Sequence, residues 1–214
     1  MKGKWKYPLV EAKDVPLTFD GKARFNIANV LAAIGAAIAM GVKNENINAA
    51  LTTFFPSYSQ TPGRLTMFDM GSYKALVDFA HNVAGYDALA EFVRSLNPEN
   101  SIATICLPGD RRDEDFQNVA KTVAETFNQV ILFERDLRGK KTGYILNTLQ
   151  KYLISYGMDS NKIEIITDEH DAVQYALDLA QEGDLLVISN YDIEGVHNRL
   201  IKHKKIMEAK ETIN

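Results

Sequence analysis

An acid, an aromatic ring, a histidine and an amide arrive together in Asp78-Phe79-Ala80-His81-Asn82, directly after the apolar run Ala75-Leu76-Val77. Aspartate and histidine can move protons, and a carboxylate also accepts hydrogen bonds from sugar hydroxyls. Gly85 follows, and then Ala88, Leu89, Phe92, Val93 and Leu96 repeat at the spacing of one helical face. The pentapeptide therefore falls between a strand and a helix. In an open α/β sheet, ligands bind outside the carboxyl ends of the strands. On this reading the polar group, His81 and Asn82 included, lies where a ligand would bind. A second reading stays open at this level: Asp78 and Asn82 cap the helix and His81 is a structural loop residue.

Other apolar runs end in the same way. Pro108-Gly109-Asp110-Arg111-Arg112-Asp113 follows residues 102–107, Glu134-Arg135-Asp136-Leu137-Arg138-Gly139 follows residues 129–133, and Asn190-Tyr191-Asp192 follows residues 184–189. If these strands are parallel, the four loops share one rim. Cations on such a rim suit phosphate, and carboxylates suit hydroxyls or metal-bound water. The acidic residues from Asp113 to Asp115 also suit the start of the next helix. Arg64, directly after the hinge glycine Gly63, can reach a phosphate with both guanidinium nitrogens in only one domain arrangement, or it is a surface arginine in a loop. No GxxxxGK[ST], CxxC, HExxH or GxSxG pattern occurs, and His81, His170, His197 and His203 lack zinc spacing, so no protein-held metal site is expected.

These residues need elements to position them, and 214 residues with 46% hydrophobic and 24% charged content suffice for one large domain, or one domain and a piece of another. The net charge of −4, with basic residues scattered except near Arg199, Lys202, Lys204 and Lys205, gives no reason to expect nucleic acid. Those four suit the last turns of a helix. No apolar run approaches the ~20 residues that span a bilayer. The single cysteine, Cys106, lies within an apolar run and reads as a small buried hydrophobe. A reducing, cytoplasmic setting is expected.

Along the chain, Trp5, Tyr7, Leu9 and Val10 suggest a short strand. Residues 26–40 carry an alanine-rich helix stopped by Gly41, and Asn44 is placed to cap a second helix over 45–54. Both helices are apolar enough to need a covering partner. The stretch 56–63 (PSYSQTPG) reads as a linker, dividing the chain into residues 1–60 and 61–214. A β-hairpin is expected about Gly71-Ser72. Strands then alternate with helices, which implies an α/β, Rossmann-like fold: a mostly parallel sheet with an antiparallel leading hairpin and helices on both faces.

The ordered phrases Asn26-Ile27-Ala28-Asn29, Thr61-Pro62-Gly63-Arg64, Asp78-Phe79-Ala80-His81-Asn82 and Gly109-Asp110-Arg111-Arg112-Asp113 resemble the motifs of the Mur ligase family. The resemblance covers nearly the whole chain. It implies an ATP- and magnesium-dependent ligase that joins a carboxylate to an amine. It also implies that residues 1–60 are the tail of a central ATPase-type domain, and that residues 61–214 are the C-terminal domain. The N-terminal domain and the rest of the central domain would then be partners outside this chain, and the 214 residues alone would be inactive. Carried over by position, Asn29, Arg64 and Asp78 fall at nucleotide-contacting places and His81 with Asn82 at cleft-facing places. Asp110, Arg111, Arg112 and Asp113 fall near the amine substrate. The phrases 54–64, 108–115 and Asp136-Leu137-Arg138-Gly139 are most like those of a member that adds arginine to the aspartate β-carboxylate of a growing polymer. Phe79 stands where tyrosine is usual and Val83 where proline is usual. The rival readings are a peptidoglycan or folylpolyglutamate type of ligase, and a non-catalytic binding module. A homo-oligomer is compatible with any of them, and no membrane partner is expected.

Overall fold

The computed structural model describes residues 9–211. The chain divides into two compact units, Met1–Pro56 and Ser57–Asn214. Of the strand expected near the N-terminus, Trp5 and Tyr7 lie outside the described residues, and Leu9 and Val10 are not in a strand.

In the first unit, two short 3-10 turns, Ala12–Asp14 and Pro16–Thr18, precede helices α1 (Arg24–Ala39) and α2 (Asn44–Thr53). Polar side chains fasten the turns to the helices. Asn26 Nδ2 donates to the Leu17 carbonyl at 2.8 Å, and Asn48 Nδ2 donates to the Leu9 carbonyl at 2.6 Å. Asn44 does not cap α2 as expected. It is the first helical residue, Lys43 precedes it in an extended conformation, and no side chain caps that end. The apolar excess of α1 is visible directly, since Leu31, Ile38 and Met40 are 63%, 55% and 76% exposed.

The second unit is a single six-stranded sheet in the order β1-β2-β6-β3-β4-β5. The strands are β1 (Thr66–Asp69), β2 (Lys74–Asp78), β3 (Ser101–Ile105), β4 (Gln129–Leu132), β5 (Ile163–Ile165) and β6 (Leu185–Ser189). Between them run helices α3 (Val83–Leu96), α4 (Asp113–Ala124), α5 (Tyr144–Ser155) and α6 (Glu169–Leu179), and α7 (Ile193–Glu211) closes the fold. Only β1 is antiparallel, joined to β2 by the expected hairpin with Gly71 at φ +93°. β3 and β6 are buried along their whole length, which explains why they read as unbroken apolar runs rather than alternating ones.

Helices α6 and α7 cover one face: Ala172, Val173, Ala176, Val196 and Leu200 join a core with Val77, Ile102, Ile131 and Ile188. The pleat sends alternate residues to the other face, where Tyr86 of α3 donates to or accepts from Ser189 Oγ at 3.0 Å and donates to the Cys106 carbonyl at 2.9 Å. Cys106 is completely buried, and burial pushes its thiol up to about 12. The register sets the rim. Asp78 lies opposite Ser189 and Ile105 opposite Leu132, so the loops leaving β2, β6, β3 and β4 start level with one another.

The polar stretch before Arg64 is not a loose connector. Ser57–Gly63 folds with the second unit, where the Thr61 amide donates to the Ser57 carbonyl at 2.7 Å and Tyr58 stacks on His197 of α7, rings 3.6 Å apart and 8° from parallel. Proline, serine and glutamine give the stretch its linker composition, and the flat apolar face of one tyrosine suffices to dock it.

Candidate functional site

Asp78 ends β2 and turns back toward the chain that enters the unit. Its Oδ2 accepts from the Leu65 amide at 2.9 Å. Burial raises the carboxyl above the usual range, and hydrogen bonds from the Leu65 and Ala80 amides and the charge of Arg64 partly offset this. The segment that it pins is bent on both sides of Arg64: Gly63 has φ +68° and Leu65 has φ +44°. Leu65 pays the left-handed steric cost that glycine escapes. Arg64 itself is exposed and lightly held. Nη1 reaches the Phe79 carbonyl at 3.5 Å, and its guanidinium carbon sits 4.9 Å from the centre of the Phe79 ring. A cation so placed is attracted by the ring face without being buried.

His81 Nδ1 lies 3.0 Å from the Phe79 carbonyl, which assigns the proton to Nδ1 and leaves Nε2 as the acceptor nitrogen. Asn82 is in an extended conformation and its Oδ1 accepts from the Gly85 amide at 2.8 Å, so it is the N-cap of α3. Both readings of this stretch thus coexist: Asn82 caps, Asp78 braces the entering segment, and His81 presents one ring nitrogen.

Across the rim, the loops after β3 and β4 are locked together. Asp110 accepts from Arg138 Nη1 at 2.7 Å, and Arg138 Nε donates to Asp136 at 2.8 Å. The bound guanidinium holds the Asp110 carboxyl below the usual range. The Gly109 amide donates to the Asp136 carbonyl at 3.1 Å, and a Cβ on Gly109 would fall 2.1 Å from the Leu137 carbonyl oxygen, so only glycine fits there. Arg111 is half-buried, and its Nε finds no hydrogen-bond partner. Arg112 turns away to Asp115, whose carboxylate accepts from its guanidinium at 2.7 Å and from its backbone amide at 3.1 Å at the start of α4. Asp113 accepts from the Tyr152 hydroxyl of α5. Of the four residues expected near the amine, Asp110 therefore pairs across to the loop after β4, while Arg112 and Asp113 are engaged in holding α4. Asn29 lies in the first unit, exposed on α1, where its Nδ2 donates to Asn26 Oδ1 at 3.2 Å.

The structure adds a centre that spacing did not reveal. Glu169, the first residue of α6, is only 2% exposed. One carboxylate oxygen accepts from the Tyr191 and Asp192 amides at 2.6 and 3.0 Å, and the other accepts from Arg135 Nη1 at 2.5 Å. One side chain thus ties the loops after β4 and β6 to a helix start. Beside it, His170 Nε2 is 3.1 Å from Asp192 Oδ2. Asp192 also accepts from the Gly195 amide, which together with His170 holds its carboxyl below the usual range. A glutamate next to Asp168, the N-cap of α6, is what the helix dipole alone predicts, so nothing in the sequence marked it as buried.

Six strands with one antiparallel edge, and a rim bearing Arg64, Asp78 and the Asp110–Arg138 pair, define a Rossmann-like α/β domain. Residues 63–189 match the family model described as Mur ligase, glutamate ligase domain, and the chain belongs to the Mur ligase family. It is 43% identical over 189 residues to the cyanophycin synthetase of Nostoc sp., covering 88% of this chain and 21% of that protein. It is 32% identical over 167 residues to the UDP-N-acetylmuramoyl-L-alanyl-D-glutamate–2,6-diaminopimelate ligase of Geobacillus kaustophilus, covering 77% of this chain and 32% of that one. The chain thus spans about a fifth of the cyanophycin synthetases that it matches. Among solved structures, the UDP-N-acetylmuramate–alanine ligase of Thermotoga maritima superposes with TM-score 0.62 at 14% identity, over 85% of this chain and 38% of that one. FolC of E. coli, solved with ADP, superposes with TM-score 0.60 at 17% identity, over 86% of this chain and 40% of that one. At these identities the superpositions speak for the fold.

Proposed function

We propose that the chain is the C-terminal part of an ATP-dependent carboxylate–amine ligase that acts as a cyanophycin synthetase, adding arginine to an aspartate β-carboxylate. The observation that carries this reading is the 43% identity over 189 residues, which extends beyond the matched domain. On the same reading, residues 1–60 continue a central nucleotide-binding domain, with Asn29 on the nucleotide side, and the reaction is cytoplasmic.

The nucleotide supplies the activating group: a carboxylate oxygen attacks the γ-phosphorus, ADP leaves, and an acyl phosphate forms. The amine nitrogen then attacks the acyl carbon, and phosphate leaves from the tetrahedral intermediate with its C–O bond. The residues at hand suit this chemistry. Arg64 is an exposed cation on a bent segment, suited to the charge of a phosphate chain. Asp78, braced against Leu65, is placed to accept from a hydroxyl. Mg2+ would accompany the phosphates of the nucleotide and offset their charge.

Asp110 favours arginine as the amine. It already binds a guanidinium, that of Arg138, at 2.7 Å on an exposed rim. Its outward carboxylate oxygens could accept from the guanidinium of an incoming arginine beside Arg138, with the Arg138 bond kept. In the complete enzyme, Asp110→Ala is expected to raise the KM for arginine at least tenfold while leaving ATP binding intact. Unchanged arginine dependence would remove Asp110 from the site. The 32% identity to a diaminopimelate ligase supports a second reading, a peptidoglycan-type ligase. Assaying the complete enzyme with arginine, diaminopimelate and glutamate separates the two.

A further inference from the structure

Asn190 follows β6, at the middle of the sheet, and is 1% exposed. Its backbone amide donates to the Asp78 carbonyl at 3.2 Å, yet neither Nδ2 nor Oδ1 of its side chain has a hydrogen-bond partner. A buried amide left unpaired opposes folding. Gly63 covers it: a Cβ on Gly63 would lie 2.9 Å from Asn190 Nδ2 and 3.0 Å from Ile193 Cγ1. The covering segment is itself bent unfavourably, with φ +68° at Gly63 and φ +44° at Leu65, and it carries Arg64, whose backbone amide donates to the Thr61 carbonyl at 3.0 Å and whose guanidinium reaches the Phe79 carbonyl at 3.5 Å and the Phe79 ring face. Unpaired amide and strained cover face each other within one unit.

We propose that Asn190 is a positioning residue for Arg64: the peptides about Gly63 flip between two arrangements, and in the second a carbonyl of that segment accepts from Asn190 Nδ2. Gly63 makes the flip accessible, since glycine adopts either sign of φ at similar cost, and its missing side chain lets the backbone come down on the amide. The Asp78–Leu65 bond keeps the far end of the segment fixed, so the flip turns Arg64 relative to Phe79 rather than releasing the whole stretch. In this view the unpaired amide is retained because it is paired in the arrangement that places the cation. The role of Arg64 as a nucleotide-contacting cation rests on the ligase reading above. The flip itself does not.

Two measurements keep those claims apart. On the chain, relaxation dispersion of the backbone amides is expected to show microsecond-to-millisecond exchange at Gly63, Arg64 and Leu65, absent in Asn190→Leu. An apolar side chain of similar size is also expected to raise Tm by about 2–4 °C, because the unpaired amide is gone. Flat dispersion in the wild-type chain, or a Tm of Asn190→Leu several degrees below it, would overturn the proposal. If Asn190→Leu does not fold, dispersion in the wild-type chain decides alone. In the complete enzyme, Asn190→Leu should lower kcat at least tenfold with little change in the KM for the amine, as Arg64→Ala should. Exchange present in the chain but full turnover by Arg64→Ala would leave the flip standing and remove the ligase role of Arg64. Full turnover by Asn190→Leu alone, with Arg64→Ala inactive, would overturn the positioning role.

Discussion

The loops after β3, β4 and β6 are bound to one another by Glu169, by the Asp110–Arg138–Asp136 chain and by the close approach of Gly109 to Leu137. The segment from Thr61 to Leu65, on the same rim, is held by the Asp78–Leu65 bond, by the Arg64 amide on the Thr61 carbonyl, by Thr66 Oγ1 on the Thr61 carbonyl at 3.3 Å and by the ring stack upstream at Tyr58, while the Arg64 side chain makes one long bond. One half of the rim is tied together through buried Glu169 and the backbone contact at Gly109, and the other half is bent to left-handed φ at Gly63 and Leu65 and carries an exposed cation. On the ligase reading proposed above, both behaviours have a use. Groups that receive an amine gain from being positioned in advance, whereas a group that meets the nucleotide must let it enter and leave.

Substitutions can break this contrast. The largest effect is expected from Gly109→Ala, whose Cβ would meet backbone at 2.1 Å. Overpacking of about 3 kcal/mol should lower Tm by about 6–12 °C, readable by thermal unfolding. Next, Glu169→Ala strands two buried backbone amides and Arg135, at a cost of about 2–3 kcal/mol, while Glu169→Gln keeps one acceptor and costs less. Chemical denaturation of the three chains gives the order. Arg64→Ala should move stability by less than about 0.5 kcal/mol, as expected of an exposed side chain, while abolishing turnover of the complete enzyme. A loss of stability comparable to that of Glu169→Ala would erase the distinction between the two halves.

The smallest effect concerns His197, beneath Tyr58. Burial lowers its pKa below the usual value, so the folded chain binds fewer protons there than the unfolded one. The stability from this group is fully present above the ordinary value of about 6.5, and is lost as pH falls through the folded pKa. Tm should therefore fall more between pH 7 and 5 in the wild-type chain than in His197→Phe, which keeps the stack and cannot titrate.

The order of strands and helices was readable because apolar periodicity changes at each boundary, as between 102–107 and the face of α4 that buries Phe116, Val119 and Val123. The rim was readable because parallel strands must end together. What stayed hidden was the use made of each side chain. Arg112 and Asp113 lie in the same charged run as Asp110, yet pair with Asp115 and Tyr152 because they begin a helix. Glu169 and Asn190 looked like a helix-start acid and a loop amide, and burial, which no local pattern encodes, gives them their weight. Tyr58 was concealed by its neighbours, whose composition is that of a linker.

The state of Cys106 has a practical side. It is the one cysteine of the sequence, enclosed between sheet and helices, and its thiol is pushed up to about 12. At pH 8 it is protonated and screened from alkylating reagents. A thiol introduced by Ser59→Cys, on an exposed position beside Tyr58, would then react alone in an otherwise unaltered chain. A single fluorophore or spin label could be carried on the entering segment, reporting its movement without first stripping the protein of its native sulfur.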